Sequence, residues 1–123
     1  MDDPRLKAGK AAMEESRFAD ALTLLLPLAE SGHAEAQEHV GAIFYIGLDN
    51  PDLPQAIHWL KKAAAQGQGY AAHNLGTLFL SIQPADPEAS ARWYLTAYDL
   101  GCVLTGENFY QLMRDFQHNH PTS

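Results

Sequence analysis

Residues 56–76 read AIHWLKKAAAQGQGYAAHNLG. The stretch has the form of the second helix of one hairpin, a glycine break at Gly67, and the first helix of the next hairpin. Gly and Ala recur where two helices have to touch, and Trp59 falls on the same side. The segments before and after it look like copies, so the chain reads outward from here as a short array of helical hairpins.

The copies keep register. Gly32, Gly67 and Gly101 lie 35 and 34 residues apart, and Gly41 and Gly76 are 35 apart. Val40 and Leu75, Phe44 and Phe79, and Ala36 and Ala71 are also separated by 35, while Trp59 and Trp93, and Ala63 and Ala97, are separated by 34. A fixed period of this size marks stacked two-helix units, and the tetratricopeptide period is about 34. An ordinary amphipathic bundle would show apolar spacing, but it would not repeat Gly, Ala and Trp in one shared register.

The segments AEAQEHVGAIFYIG, PQAIHWLKKAAAQG, YAAHNLGTLFLS and PEASARWYLTAYDLG carry these matches, and together they resemble the Sel1-like repeat family, a relative of the tetratricopeptide repeats. The resemblance covers about residues 18–101. Three features depart from the family pattern. The connector LDNPDLP lacks the usual second glycine, Ile82 stands where Gly47 would recur, and the second matching hairpin has the loop IQPADP. The resemblance implies an all-α, right-handed α-solenoid of about three helix-turn-helix repeats plus a C-terminal capping helix. A single domain is expected, with units at about 4–32, 33–67 and 68–101, a cap over 102–117 and a tail over 118–123.

Composition fits a folded domain and narrows the partners. The chain has 123 residues, 46% of them hydrophobic and 19% charged, with a formal net charge of −7. That is an ordinary globular balance. An acidic surface argues against nucleic acid, whose binders carry a basic face, and against anionic membrane surfaces. Cys102 is the single cysteine, so an internal disulfide is excluded. The start MDDPRLKAGK has no apolar core of a signal peptide, and no apolar run is long enough to span a membrane. The cytoplasm is the default expectation. A chain beginning after a removed leader would read the same way, which keeps a periplasmic or secreted location open.

In chain order, helices are expected at about 4–15, 18–30, 34–46, 54–66, 69–81, 87–100 and 105–117. Leu6, Gly9, Ala12 and Met13 form the stripe of the first helix. Ala21, Leu24, Leu25, Leu28 and Ala29 form that of the second, where Pro27 predicts a kink. Gly41 costs about 1 kcal/mol in a helix interior relative to Ala. Close approach of the partner helix is the expected compensation, and Gly76 repeats the choice. Tyr110 replaces the repeat glycine in the last helix, as suits a terminal cap.

No catalytic motif stands out: the chain has no phosphate loop, nucleophile elbow, HExxH or CxxC. His118 and His120 lack a third ligand at fixed spacing, so no metal site and no cofactor are expected. His33 and His58 read as solvated surface residues. Cys102, between Leu100 and Val103, reads as a small buried hydrophobe, and Trp59, Trp93 and Tyr94 as packing residues.

The functional candidates come from the family register, in which the outward faces of the first helices line a concave groove. That register gives Lys7, Lys10 and Met13, followed by Glu38, His39, Ala42, Tyr45 and Ile46. It continues with Tyr70, His73, Asn74, Thr77 and Leu80, and then with Glu107, Asn108 and Gln111. Apolar spots among hydrogen-bonding groups suit an extended or helical peptide. The expected function is a non-enzymatic scaffold or adaptor that binds a protein or peptide, as a monomer. The alternatives are an immunity or inhibitor protein that blocks a secreted effector, and a hydrolytic or peptide-modifying enzyme built around Glu38, His39 and His73.

Overall fold

The computed structural model describes residues 3–102. They form six α-helices: α1 (Pro4–Glu14), α2 (Phe18–Glu30), α3 (Ala34–Ala42), α4 (Leu53–Ala65), α5 (Gly69–Ser81) and α6 (Pro87–Asp99). No strand occurs among the described residues, and the fold class is all-α, as helix-turn-helix repeats require. The expected capping helix at 105–117, with Glu107, Asn108 and Gln111, lies outside the described residues, as does the tail.

Short-range chemistry sets the helix boundaries. Asp3, Asp52 and Asp86 cap α1, α4 and α6 by accepting backbone N–H bonds from Arg5 (2.8 Å), Gln55 (3.1 Å) and Ala89 (3.0 Å). Pro4, Pro54 and Pro87 follow in the first turn, where a missing N–H costs nothing. At the other ends, Gly32, Gly67 and Gly101 have φ of +99°, +94° and +85°. Behind α2, Gly32 N–H donates to Ala29 and His33 N–H to Leu28; behind α6, Gly101 and Cys102 donate to Tyr98 and Ala97. These paired bonds satisfy the last carbonyls of each helix and need a residue that tolerates the left-handed region. The glycine period of 34–35 residues is therefore a period of helix stops. Ser16 holds the same place after α1, with φ +59° and with Arg17 N–H donating to Ala12.

Two compact units divide between Gln66 and Gly67. In the first, α1 pairs with α2 and α3 with α4, and α2 packs on α3 to join the two hairpins. Its core gathers Leu6, Ala12, Ala21, Leu25, Leu28, Ala36, Val40, Ile43 and Trp59. In the second, α5 pairs with α6 and buries Ala71, Leu75, Leu78, Ala89, Tyr94 and Ala97, with Cys102 also buried. Small residues let the paired helices close up. A Cβ on Gly41 would stand 2.7 Å from Leu60 Cγ and 3.1 Å from the Leu60 backbone nitrogen, and one on Gly76 would stand 2.8 Å from the Tyr94 ring. The expected close approach is present at both glycines. At Gly76 the partner helix makes it with an aromatic side chain. Gly9 against Leu25 repeats the arrangement in the first hairpin, at 2.5 Å.

Two local expectations change. The helix expected to 46 stops being α-helical after Ala42, and Ile43–Gly47 form a π-helical turn instead. Ile43 stays in the core, and Gly47 comes so close to Phe18 that a Cβ there would sit 3.0 Å from its ring. An extra residue per turn is set by such packing and leaves no periodic trace. The expected span of α2 holds, with Pro27 inside it and exposed. His33 is no solvated bystander: its Nδ1 accepts the Ala36 N–H at 3.2 Å and caps α3.

Candidate functional site

In the first unit the candidate residues of α1 and α3 gather around one carboxylate that the sequence reading passed over, Glu35. Lys10 Nζ donates to Glu35 Oε1 at 2.9 Å, across from α1 to α3. One turn along α3, His39 Nε2 stands 3.5 Å from the same oxygen. That is too long for a good hydrogen bond, and Nε2 is buried without one. Glu38 is half-buried beside them and makes no hydrogen bond or ion pair among the described residues. Glu35 was within reach of the sequence, because it sits three and four residues before Glu38 and His39 and helix neighbours at those spacings share a face.

The electrostatics follow from burial. Loss of water pushes the Glu38 carboxyl up to about 7; the charge of Glu35 acts in the same direction, and Lys10 acts against both. Burial also holds the His39 imidazole below its usual value, although Glu35 favours the charged ring. Glu35 is held below the ordinary carboxylate range, chiefly by its hydrogen bond from Lys10. A shallow concavity of about 410 Å³ opens beside the pair, walled by Leu6, Lys7, Lys10, Ala11, Glu14 and Glu35. Met13 turns inward and packs on the core.

The π-helical turn carries the next candidates. Tyr45 is half-buried, while Ile46 is 72% exposed. Ile46 borders a wider concavity of about 670 Å³, walled also by Arg17, Phe18, Gly47, Leu48 and Asp49. Gln37, which the sequence reading also passed over, is buried on the inner side of α3. It donates to Ala29 carbonyl at 3.1 Å and accepts from Gln66 Nε2 at 2.8 Å, while Gln66 also bonds Gly32 carbonyl at 3.0 Å. This network ties the ends of α2 and α4 to α3, a structural duty.

In the second unit, Tyr70, His73, Thr77 and Leu80 follow one another along a single face of α5. Tyr70 is 47% and Leu80 48% exposed. The His73 ring meets Tyr94 edge-on, with centroids 5.3 Å apart, and burial lowers its pKa. Thr77 Oγ1 lies 2.7 Å from the Tyr94 hydroxyl, so its polar group is engaged inside the hairpin. Asn74 is half-buried. Trp59 and Tyr94 are buried as packing residues, and Trp93 is half-buried.

Among the described residues no group of three or more His, Cys, Asp or Glu side chains is placed to hold a metal ion. Glu38 and His39 are consecutive on α3, and consecutive helical residues point in different directions. Among the described residues no helix is long and apolar enough to cross a membrane.

Comparison with curated proteins and with solved structures returns no match. The Sel1 repeat matches residues 34–68 and 69–102, more than half of the chain, and the two matches begin with α3 and α5. Repeats of this kind are typically protein–protein interaction modules of a non-catalytic scaffold type. With two registered copies, each a hairpin closed by a left-handed glycine, this chain belongs to the Sel1 repeat family.

Proposed function

We propose that the protein is a non-enzymatic scaffold or adaptor that binds a protein or peptide through the first-helix faces of its hairpins. One observation carries this reading. Four large hydrophobic side chains are exposed among the described residues, and three of them, Ile46, Tyr70 and Leu80, belong to α5 or to the turn that continues α3. Apolar and aromatic side chains left in water on these helix faces are groups that a partner can bury, and binding energy concentrates in a few such anchors. The second helices leave charged groups outside instead, Lys61 and Lys62 on α4 and Arg92 on α6.

The test is affinity capture from the source organism with the parent chain and three variants, each checked for native helicity. Ile46→Asp and Tyr70→Ala are expected to lose the partner that the parent retains, and Lys62→Ala to keep it. Loss of the partner with Lys62→Ala, while both first-helix variants bind like the parent, would refute the reading.

A further inference from the structure

The charges around α1 and α3 are unevenly satisfied. Lys10 is bonded to Glu35 at 2.9 Å, and that carboxylate also faces His39 at 3.5 Å. Glu38, on the same helix and half-buried, has no hydrogen bond or ion pair of its own among the described residues. Such a carboxyl has given up part of its hydration without receiving a cation in return. The charges acting on it come from Glu35, which disfavours its ionised form, and from Lys10, which acts against that but less strongly. Burial disfavours the charged form of the next residue on α3, His39.

We propose that Glu38 seats the ammonium or guanidinium group of a basic side chain, so that the α3 face recognises a lysine- or arginine-bearing peptide. The proposal rests on the reading that first-helix faces bind the partner, and it names the chemistry of that partner. The cation would supply the counter-charge that Glu38 lacks, at a site where partial exclusion of water strengthens the attraction. The net charge of −7 draws basic ligands toward the chain in general. What singles out Glu38 is its place on α3, half-buried without a hydrogen bond or ion pair among the described residues, and proton exchange makes that place readable. The free carboxyl titrates near 7, so a cation that needs it ionised displaces a proton on binding, whereas ordinary surface carboxylates are already ionised and release none.

The probes are acetylated, amidated tetra-arginine, tetra-glutamine and tetra-glutamate, titrated by NMR into the full chain with carbon-13 on its glutamate carboxyls. For a group with a pKa of about 7, ionisation rises about tenfold between pH 6 and pH 8, so tetra-arginine should bind about tenfold tighter at pH 8. The Glu38 carboxyl midpoint should fall when tetra-arginine is added, a readout that needs no variant. Glu38→Gln should remove the pH dependence, while Glu30→Gln, which takes the same charge from an exposed position on α2, should keep it. Tetra-arginine binding that is equal at both pH values, or unchanged in Glu38→Gln, overturns the seat. Perturbation of α1 and α3 by tetra-glutamine or tetra-glutamate alone overturns it as well, yet leaves the first-helix reading standing. No response to any peptide also overturns it, and the capture experiment with Ile46→Asp and Tyr70→Ala then judges the scaffold reading independently.

Discussion

Glu38→Gln is expected to stabilise the free protein, and only at neutral and alkaline pH. The carboxyl rises from its ordinary 4.5 to about 7 on folding. At roughly 1.4 kcal/mol for each pH unit, the ionised form is disfavoured in the native state by up to about 3 kcal/mol. Glu38 keeps part of its surface in water, so screening reduces the realised penalty to about 1–2 kcal/mol. The native state holds the proton more tightly than the unfolded chain. Glu38 therefore makes no difference below 4.5, erodes stability as pH rises from 4.5 to about 7, and exerts its full cost above that. Glutamine has the shape of the protonated acid and never ionises, so it removes the cost. Urea denaturation of parent and variant at pH 4 and pH 8 provides the comparison, since urea, unlike guanidinium, adds no screening salt. The variant should match the parent at pH 4 and exceed it by about 1–2 kcal/mol at pH 8. An equal difference at both pH values, or a less stable variant at pH 8, would show that burial does not strain this carboxyl. A gain in stability together with a loss of cation binding is the usual trade at a functional position.

Three further outcomes concern packing and backbone. Trp59→Ala removes a side chain that is only 7% exposed and should cost about 3–5 kcal/mol, a large share of a typical total of about 5–15 kcal/mol; thermal melting followed by circular dichroism reads it, and an unchanged melting temperature contradicts the core assignment. Gly76→Ala gains about 1 kcal/mol of helix propensity, but its Cβ would meet the Tyr94 ring at 2.8 Å. The net effect should be destabilising by about 1–2 kcal/mol, and a raised urea midpoint would show that the ring moves aside freely. Ser16→Gly relieves a serine at φ +59° and should stabilise by about 0.5–1 kcal/mol, the left-handed strain less the added entropy of a glycine; a lower denaturation midpoint would contradict it.

Much of the candidate site was visible in the sequence as positions and little of it as chemistry. The repeat register placed Lys10, Glu38 and His39 on first helices because a helix face is a matter of spacing alone. It did not reveal that Lys10 is bonded to Glu35, that Glu38 is left without a counter-charge, or that the Thr77 hydroxyl is engaged by Tyr94. Each of these depends on groups brought together from different helices and on how much water remains around them. Ile46 and Tyr45 show the same limit: they are neighbours in sequence, yet one is 72% exposed and the other half-buried on a π-helical turn.

The sequence by itself determined the hairpins. Caps at Asp3, Asp52 and Asp86, prolines just inside the starts, and left-handed glycines at 32, 67 and 101 each act through bonds that span a few residues. Their physics is local, and their spacing exposes it. The small residues at Gly41 and Gly76 announced a close contact because nothing else compensates a glycine inside a helix. Tertiary structure alone decided what fills that contact, Leu60 in one hairpin and Tyr94 in the other. It also decided that α3 gives way to a π-helical turn, that His33 caps a helix, and that Gln37 is buried and bonded to α2 and to Gln66. Those outcomes depend on shape complementarity and desolvation between distant segments, which are properties of the assembled core, and a period read along one strand of text does not carry them.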